Sequence, residues 1–151
     1  MSVALSSQAV CISCGSANRI PANKPAAAAK CGRCGAPLSL DSPAEVDDSQ
    51  LKQVLEKSSG LVLLDVWAPW CGPCRAMAPQ FTAAAKLLAG EARLVKLDAD
   101  HSQMVRTFGV SGIPALILFR DGGIIDRKAG VMKADALAAW VRGHTRDADR
   151  S

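Results

Sequence analysis

The sequence predicts an α/β fold, in which a mixed central sheet is flanked by helices, preceded by a small cysteine-rich segment. From about residue 44 onwards, short apolar runs typical of strands alternate with stretches of helical periodicity. Residues 1–40 contain few large apolar side chains and cannot bury a core of their own. We therefore expect a segment over residues 1–40 and an α/β domain over residues 41–151, with the core of the domain excluding the segment.

The first half of the α/β domain contains two predicted strands and two predicted helices. A short strand at 44–46 is followed by a helix over about 49–58, for which Asp48 or the serine after it is the expected cap. The continuous apolar run at 61–67 predicts a strand that is covered on both faces. A helix should then run from about residue 71 to residue 89, where a glycine follows.

The second half is predicted to contain a strand at 93–98, a helix over 101–108, strands at 115–119 and 123–128, and an amphipathic helix over 133–143. Asp121 and Gly122 between the last two strands indicate a hairpin. The three strands joined by helical crossovers should be parallel, and the hairpin makes the sheet mixed. The polar residues 142–151 are expected to form a frayed tail.

The composition argues against two classes of protein. The net charge of +4 is not gathered into a basic cluster with interleaved aromatic residues, which disfavours nucleic-acid binding. No stretch approaches the ~18 apolar residues that a membrane span needs, and the first ten residues lack the basic region of a signal peptide. We therefore expect a cytoplasmic protein, in which cysteines stay reduced unless they are catalytic or bound to metal.

All six cysteines occur in pairs separated by two residues. The third pair, Cys71 and Cys74, lies where the buried strand passes into a helix. Free N–H groups at a helix start stabilise a thiolate, the nucleophilic form of cysteine, and Pro73 fits the first turn. Cys71 can therefore attack a substrate disulfide, and Cys74 can resolve the mixed disulfide. A zinc site or an inert buried pair is the alternative, which the strand-to-helix context disfavours.

The first two pairs form the pattern C-x2-C-x16-C-x2-C, which is typical of a zinc site. The ligands would be Cys11, Cys14, Cys31 and Cys34. A glycine follows each pair, and glycine allows a tight turn whose N–H groups point at sulfur. Four thiolates complete the shell of one tetrahedral zinc ion, so we expect a structural site that supplies folding free energy. A second redox pair at 31–34 and an iron–sulfur cluster are the alternatives.

The chain resembles the thioredoxin family in four stretches that occur in the same order: DVWAPWCGPC at 65–74, KLD at 96–98, GIPALILFRDG at 112–122 and KAGV at 128–131. With its first four cysteines it resembles the zinc-containing bacterial thioredoxin 2 subfamily. The resemblance implies the thioredoxin fold, reduction of protein disulfides, and recycling by thioredoxin reductase with NADPH. It also implies one structural zinc ion and no bound organic cofactor. We expect disulfide-containing proteins and the reductase as partners, and a monomeric chain.

The resemblance also assigns roles to individual residues. Cys71 is expected to be the exposed nucleophile and Cys74 the buried resolving thiol. The further residues that it places in or beside the site are Trp67, Trp70, Gly72, Pro73, Lys96, Ile113, Pro114 and Gly130. Of these, Pro114 corresponds to the family's cis-proline, Gly130 lines the substrate groove, and the backbone of Ile113 is expected to pair with an extended substrate peptide.

Asp65 interrupts the apolar strand that leads to the third pair. Its side chain projects on the same face as Leu63 and Trp67, and this face should lie behind Cys74. A buried carboxylate with a raised pKa can accept the proton that Cys74 must lose, and the resemblance places Lys96 close to it. The alternative is a structural carboxylate near the strand end, satisfied by water or by capping.

Two classes of function are compatible with these features. The first is a thiol-disulfide oxidoreductase that acts as a reductase. The second is a zinc-dependent binding or chaperone-like module that uses the thioredoxin domain as a scaffold. A reductase must turn over disulfides when it is recycled, whereas a scaffold need not. The sequence identifies neither the physiological substrates nor the role of the zinc segment.

Overall fold

The computed structural model describes residues 7–20, 29–38 and 42–150 of the chain. The expected boundary between residues 40 and 41 lies outside the described residues. The elements are β1 (Ser7–Val10), β2 (Ala17–Ile20), β3 (Ala44–Val46), α1 (Asp48–Lys57), β4 (Leu61–Trp67), α2 (Gly72–Leu87), β5 (Ala92–Asp98), a 3₁₀ turn (Ala99–His101), α3 (Met104–Thr107), β6 (Ala115–Arg120), β7 (Gly123–Ala129) and α4 (Ala134–Arg150). In the part of the chain that the structure describes, none of the helices combines the length and the apolar content that a membrane span requires.

Among the described residues, five strands form the central sheet in the order β3-β5-β4-β6-β7. Strands β3 and β4 run parallel to β5, whereas β6 runs antiparallel to both β4 and β7. The expected parallel strands and the mixed sheet are confirmed. The register places Trp67, Asp98, Ala115 and Ala129 at one end of the sheet, and this end carries the third cysteine pair.

Successive residues of β4 face two separate parts of the core. Its even-numbered residues from 62 to 66 pack with α1 on one side of the sheet. Leu63 packs on the other side with Phe81 of α2 and Leu137 of α4. Both faces of the strand are therefore covered, as its continuous apolar run predicts. Asp65 lies on the side of Leu63, because side chains alternate along a strand.

The start of α1 corrects the predicted cap. Asp47, and neither Asp48 nor Ser49, is the N-cap, because its backbone is extended and its carboxylate accepts the Gln50 N–H at 2.8 Å. The side chain of Gln50 accepts the Asp47 N–H at 2.9 Å in return, which completes a capping box. Asp48 instead accepts the N–H of Gln103 at 2.8 Å and so joins α1 to the start of α3.

The last two predicted helices also differ from expectation. The helix expected over 101–108 is α-helical only in its second half, and Gly109 follows with a φ of +71°. Helix α4 continues to Arg150, through residues expected to form a frayed tail. One reason is that the ring Nε2 of His144 lies 2.8 Å from the carboxylate of Asp126 on β7, which attaches the second half of α4 to the sheet.

The N-terminal segment packs against the α/β domain, so the expectation that the core excludes it is wrong. Val10 of β1 is 1% exposed and belongs to the same core cluster as the α1 side of the sheet. Its N–H donates to the Ser58 hydroxyl at 3.1 Å, and the Ser59 N–H donates to the carbonyl of Gln8 at 2.7 Å. The segment does bury a small cluster of its own, in which Ile20 and Leu38 pack beside the cysteines, so the expectation that it forms no core is also corrected.

Candidate active site and metal centre

The third cysteine pair lies at the N-terminus of α2, at the end of the sheet described above. Cys71 is the N-cap residue, and its Sγ accepts the backbone N–H of Cys74 at 3.2 Å. The two Cα atoms are 5.2 Å apart and the two sulfurs are joined in a disulfide. Pro73 lies in the first turn, where a missing N–H costs no hydrogen bond. Both sulfurs therefore lie at the N-terminus of the same helix, within bonding distance of each other.

The expectation that Cys71 is exposed is wrong, because the residue is buried. Cys71 is 5% exposed and Cys74 is 4% exposed. The sulfur of Cys71 turns inward to Cys74 and lies 3.8 Å from the carbonyl oxygen of Ile113, while Ala68 packs beside it. The backbone of the loop that contains Ile113 therefore lies directly beside this sulfur.

The loop beside Cys71 contains a cis peptide bond between Ile113 and Pro114. Gly130, which follows β7, donates its N–H to the carbonyl of Pro114 at 3.0 Å and has a φ of +87°. The structure thus brings together Cys71, the Ile113–Pro114 bond and Gly130, although these residues are far apart in sequence. Gly130 is partly exposed, and its neighbour Val131 is 48% exposed.

The two tryptophans near the pair have different surroundings. Trp70 is 67% exposed, and its indole N–H donates to both carboxylate oxygens of Asp100, at 2.9 and 3.1 Å. Trp67 is partly buried against the cysteine pair, and Lys96 Nζ lies 4.7 Å from its ring centroid. Sequence reasoning missed Asp100, whose only signal was its position just after β5, at the end of the sheet that carries the cysteines.

Among the described residues of the α/β domain, Asp65 is the carboxylate that is fully buried. It is 1% exposed, it stands opposite Lys96 in the β4–β5 register, and neither carboxylate oxygen has a hydrogen-bond partner among the described residues. Burial raises the pKa of Asp65 to about 6, because water no longer stabilises its charge, and the positive charge of Lys96 opposes this shift. A side chain with that pKa gains and releases a proton close to neutral pH.

The four remaining cysteines form one cluster, whose sulfurs all lie within 4.8 Å of one another. The sulfurs of Cys11 and Cys34 are 3.5 Å apart, and those of Cys14 and Cys31 are 3.6 Å apart. Four sulfurs at about 2.3 Å from a single tetrahedral zinc ion would be about 3.8 Å from one another, so this donor set fits zinc. The cysteines of the two pairs therefore stand where the sequence pattern predicts.

Two glycine turns shape the cluster. Gly15 donates its N–H to the carbonyl of Cys11 at 2.7 Å, and Gly35 donates to Cys31 at 2.8 Å. Their φ values are +77° and +78°, in the left-handed region that favours glycine. The pKa of Cys31 is lowered to about 6, mainly because the Cys34 N–H donates a hydrogen bond to its sulfur. The side-chain amide of Asn18 donates a second hydrogen bond, which lowers this pKa further. Asn18 was not predicted from sequence.

Comparison with known proteins covers both parts of the chain. Residues 42–143 match the family model described as Thioredoxin, and residues 10–36 match the model described as Thioredoxin 2, N-terminal. Thioredoxin C-3 of Corynebacterium nephridii is 34% identical over 133 residues, which cover 87% of this chain and 91% of that protein. The thioredoxin of Pseudomonas aeruginosa is 39% identical over 97 residues, which cover 64% of this chain and 90% of that protein. A solved mutant thioredoxin of Halobacterium salinarum, 32% identical, superposes with a TM-score of 0.63 over 68% of this chain and 90% of its own.

Proposed function

The chain belongs to the thioredoxin family of thiol-disulfide oxidoreductases, and we propose that it reduces the disulfide bonds of proteins with Cys71 and Cys74. The observation that carries the proposal is the position of the Cys71 sulfur, which accepts the Cys74 N–H at the start of α2. A helix start favours the thiolate, and a second sulfur within bonding distance allows rapid intramolecular resolution.

The reaction consists of two exchange steps. The Cys71 thiolate attacks one sulfur of a substrate disulfide and forms a mixed disulfide, while the other substrate sulfur leaves as a thiolate and takes a proton from water. Cys74 then loses its proton and attacks the Cys71 sulfur, which releases the second substrate thiolate. Two electrons pass from the dithiol to the substrate, and the protein is left with the Cys71–Cys74 disulfide.

Asp65 is the proposed acceptor of the Cys74 proton. It lies on the face of β4 that α2 covers, between Leu63 in the core and Trp67 beside the cysteine pair. A base with a pKa of about 6 is ionised at neutral pH but still binds a proton readily. Lys96, opposite in the register, would keep that pKa from rising further.

The substrate is proposed to bind as an extended peptide across the loop at 113–114. Ile113 is partly exposed and its carbonyl lies beside the Cys71 sulfur, and the same peptide would also contact Gly130 and the exposed Trp70. Backbone hydrogen bonds from such a peptide do not depend on its sequence. This mode of binding would let one protein reduce many different disulfides.

Recycling and cellular context follow from the same proposal. The oxidised protein needs an electron donor, and we propose thioredoxin reductase with NADPH in that role. Six cysteines, four of them held as a thiol cluster, suit a reducing compartment such as the cytoplasm. We also propose that the chain acts as a monomer, because one chain contributes every residue named in the reaction.

Cys11, Cys14, Cys31 and Cys34 are proposed to hold one zinc ion. Four cysteine ligands leave no open position for water or substrate, so the ion would supply stability and no catalysis. Gly15 and Gly35 shape the turns that bring the sulfurs together. No organic cofactor is needed by the two exchange steps.

The test is a coupled assay of insulin reduction with thioredoxin reductase and NADPH. We expect steady NADPH oxidation that requires both Cys71 and Cys74, with activity retained in part when a chelator removes the metal. A chaperone-like scaffold would bind unfolded insulin chains without oxidising NADPH. Absence of turnover with fully reduced, folded protein would overturn the proposal.

A further inference from the structure

A cavity of about 330 Å³ lies beside the loop that covers Cys71. One wall is the loop over 109–112, and the other is the end of β7 with Arg127 and Ala129. Its floor includes Ala115, which is buried and directly follows the cis-proline. Because residue 112 is adjacent to Ile113, the cavity begins one residue from the backbone that contacts the Cys71 sulfur.

Arg127 is held in place at this cavity. It pairs with Ile117 in the β6–β7 register and so lies on the same face of the sheet as Ala115. Its guanidinium donates a hydrogen bond to the carbonyl of Phe108, just before the loop. A guanidinium has five N–H donors, and a single carbonyl cannot satisfy them all. The remaining donors form a fork of the kind that binds carboxylates.

The charged residues that line the cavity, Arg127 and Lys128, are both positive. The sequence contains no aspartate or glutamate between residues 104 and 120 or between residues 127 and 134, whereas it has Arg106, Lys128 and Lys133 there. The nearest acid in sequence, Asp126, is already engaged by the Trp140 indole N–H and the His144 ring, both at 2.8 Å. An acidic group entering the cavity would therefore meet two positive side chains and no carboxylate among the residues that line it.

An extended peptide bound at Ile113 would have the loop over 109–112 next to it, because residue 112 directly precedes Ile113. A peptide whose cysteine is bonded to Cys71 and whose backbone follows Ile113 advances about 3.3 Å per residue. At that spacing, a residue about two to four positions from the cysteine would reach the loop over 109–112, which forms the cavity wall.

We propose that this cavity, with Arg127, binds an acidic side chain that lies two to four residues from the attacked cysteine of a protein substrate. The inference rests on the proposed function, since it needs the disulfide to be attacked by Cys71. It makes Arg127 a residue that selects substrates and takes no part in the exchange itself.

The experiment uses symmetric disulfide dimers of a short peptide with one cysteine, so that attack on either sulfur gives the same product. Glutamate, glutamine or lysine is placed at each position from two to four residues on either side of the cysteine. Single-turnover rate constants are measured with the fully reduced chain by quantifying released peptide. We expect the glutamate peptide to react about two- to fivefold faster than the glutamine peptide at one side, with the lysine peptide slowest.

Variants separate the cavity from the overall charge. Arg127→Gln should abolish the preference, and Arg127→Lys should keep part of it. Lys57→Gln is the matched control, because it removes one positive charge at an exposed site on α1, and it should keep the full preference. The preference of the parent should also fall as salt is raised, a measurement that depends on no variant.

The outcomes of this experiment distinguish the acidic subsite from the reductase activity on which it rests. If all peptides are reduced at equal rates, or if Arg127→Gln keeps the preference, the acidic subsite is wrong and the reductase remains. If Lys57→Gln loses the preference as Arg127→Gln does, general charge attraction is responsible and the subsite is also wrong. If no peptide dimer is reduced, the proposed function itself is wrong.

Discussion

The guanidinium of Arg93 on β5 donates a hydrogen bond to the main-chain carbonyl of Val10, the residue directly before the first cysteine of the metal centre. A second N–H of the same side chain donates to the carbonyl of Leu38, just after the last cysteine pair. Arg93 therefore joins the residues on either side of the four cysteines to the central sheet. Stability of the α/β domain and occupation of the metal centre should depend on each other through these contacts.

Removal of the metal should destabilise the α/β domain as well as the segment. Without the ion the cysteine turns lose their order, and Val10 and the two carbonyls no longer pack on the sheet. All three tryptophans, Trp67, Trp70 and Trp140, lie in the α/β domain, so their fluorescence reports on that domain alone. We expect a chelator to lower the denaturant midpoint measured in this way.

The matched control for metal removal is the double variant Cys31→Ser, Cys34→Ser, whose midpoint should already be low and should not respond to chelator. Metal analysis of the parent should give one zinc ion per chain. A parental midpoint that is the same with and without chelator would mean that the two parts are independent despite their contacts.

Arg93→Met should weaken both the domain and metal retention. The substitution keeps an apolar chain of similar length but leaves two carbonyls without their donor, at a cost of about 1–3 kcal/mol in the free energy of unfolding. Metal release to a coloured chelator should be faster than in the parent. Arg106→Met is the control, since Arg106 is exposed on α3. Equal midpoints and equal release rates for the parent and Arg93→Met would refute the coupling.

The contacts of Arg93 are of a kind that sequence patterns do not predict. The strands and the cysteine pairs were predictable because apolar runs and C-x2-C spacing are local patterns. The acceptors of Arg93 are main-chain carbonyls 83 and 55 residues away, and a carbonyl has no sequence signature. The same holds for the Trp70–Asp100 hydrogen bond. The cap of α1 was missed by one residue because Asp47 and Asp48 are chemically equivalent and only backbone dihedral angles distinguish them.

Serine variants of the catalytic pair should separate the two exchange steps. Cys71→Ser should be unable to attack and should form no mixed disulfide. Cys74→Ser should attack but be unable to resolve, so that substrate proteins accumulate on Cys71 and are released by dithiothreitol. Non-reducing electrophoresis after mixing with a disulfide-containing protein distinguishes the two outcomes. Accumulation on the Cys71→Ser variant instead would mean that the attacking and resolving roles are exchanged.

Asp65→Ala should be more stable than the parent at neutral pH, and the difference should disappear in acid. Because burial raises the pKa of Asp65 to about 6, the folded state holds a proton that the unfolded chain, with a pKa of about 3.9, has already released. The stabilising contribution of this proton is complete below about pH 4 and is lost as the pH rises through about 6. The parent therefore bears a cost of up to about 3 kcal/mol above that pH, which the alanine variant avoids.

Asp65→Ala should slow the resolution of mixed disulfides, although it should stabilise the fold. Without a carboxylate to accept the Cys74 proton, Asp65→Ala should resolve mixed disulfides more slowly above pH 6, and the step in rate near that pH should vanish. Asp65→Asn is the companion variant, because it keeps the shape of the side chain and removes only its ability to take a proton. Denaturant midpoints from pH 4 to 8 and single-turnover resolution rates are measured on all three proteins. If both variants resolve at the parental rate with the parental pH profile, the buried carboxylate has no part in proton transfer, and a lower stability of Asp65→Ala at pH 7 would give it a structural role.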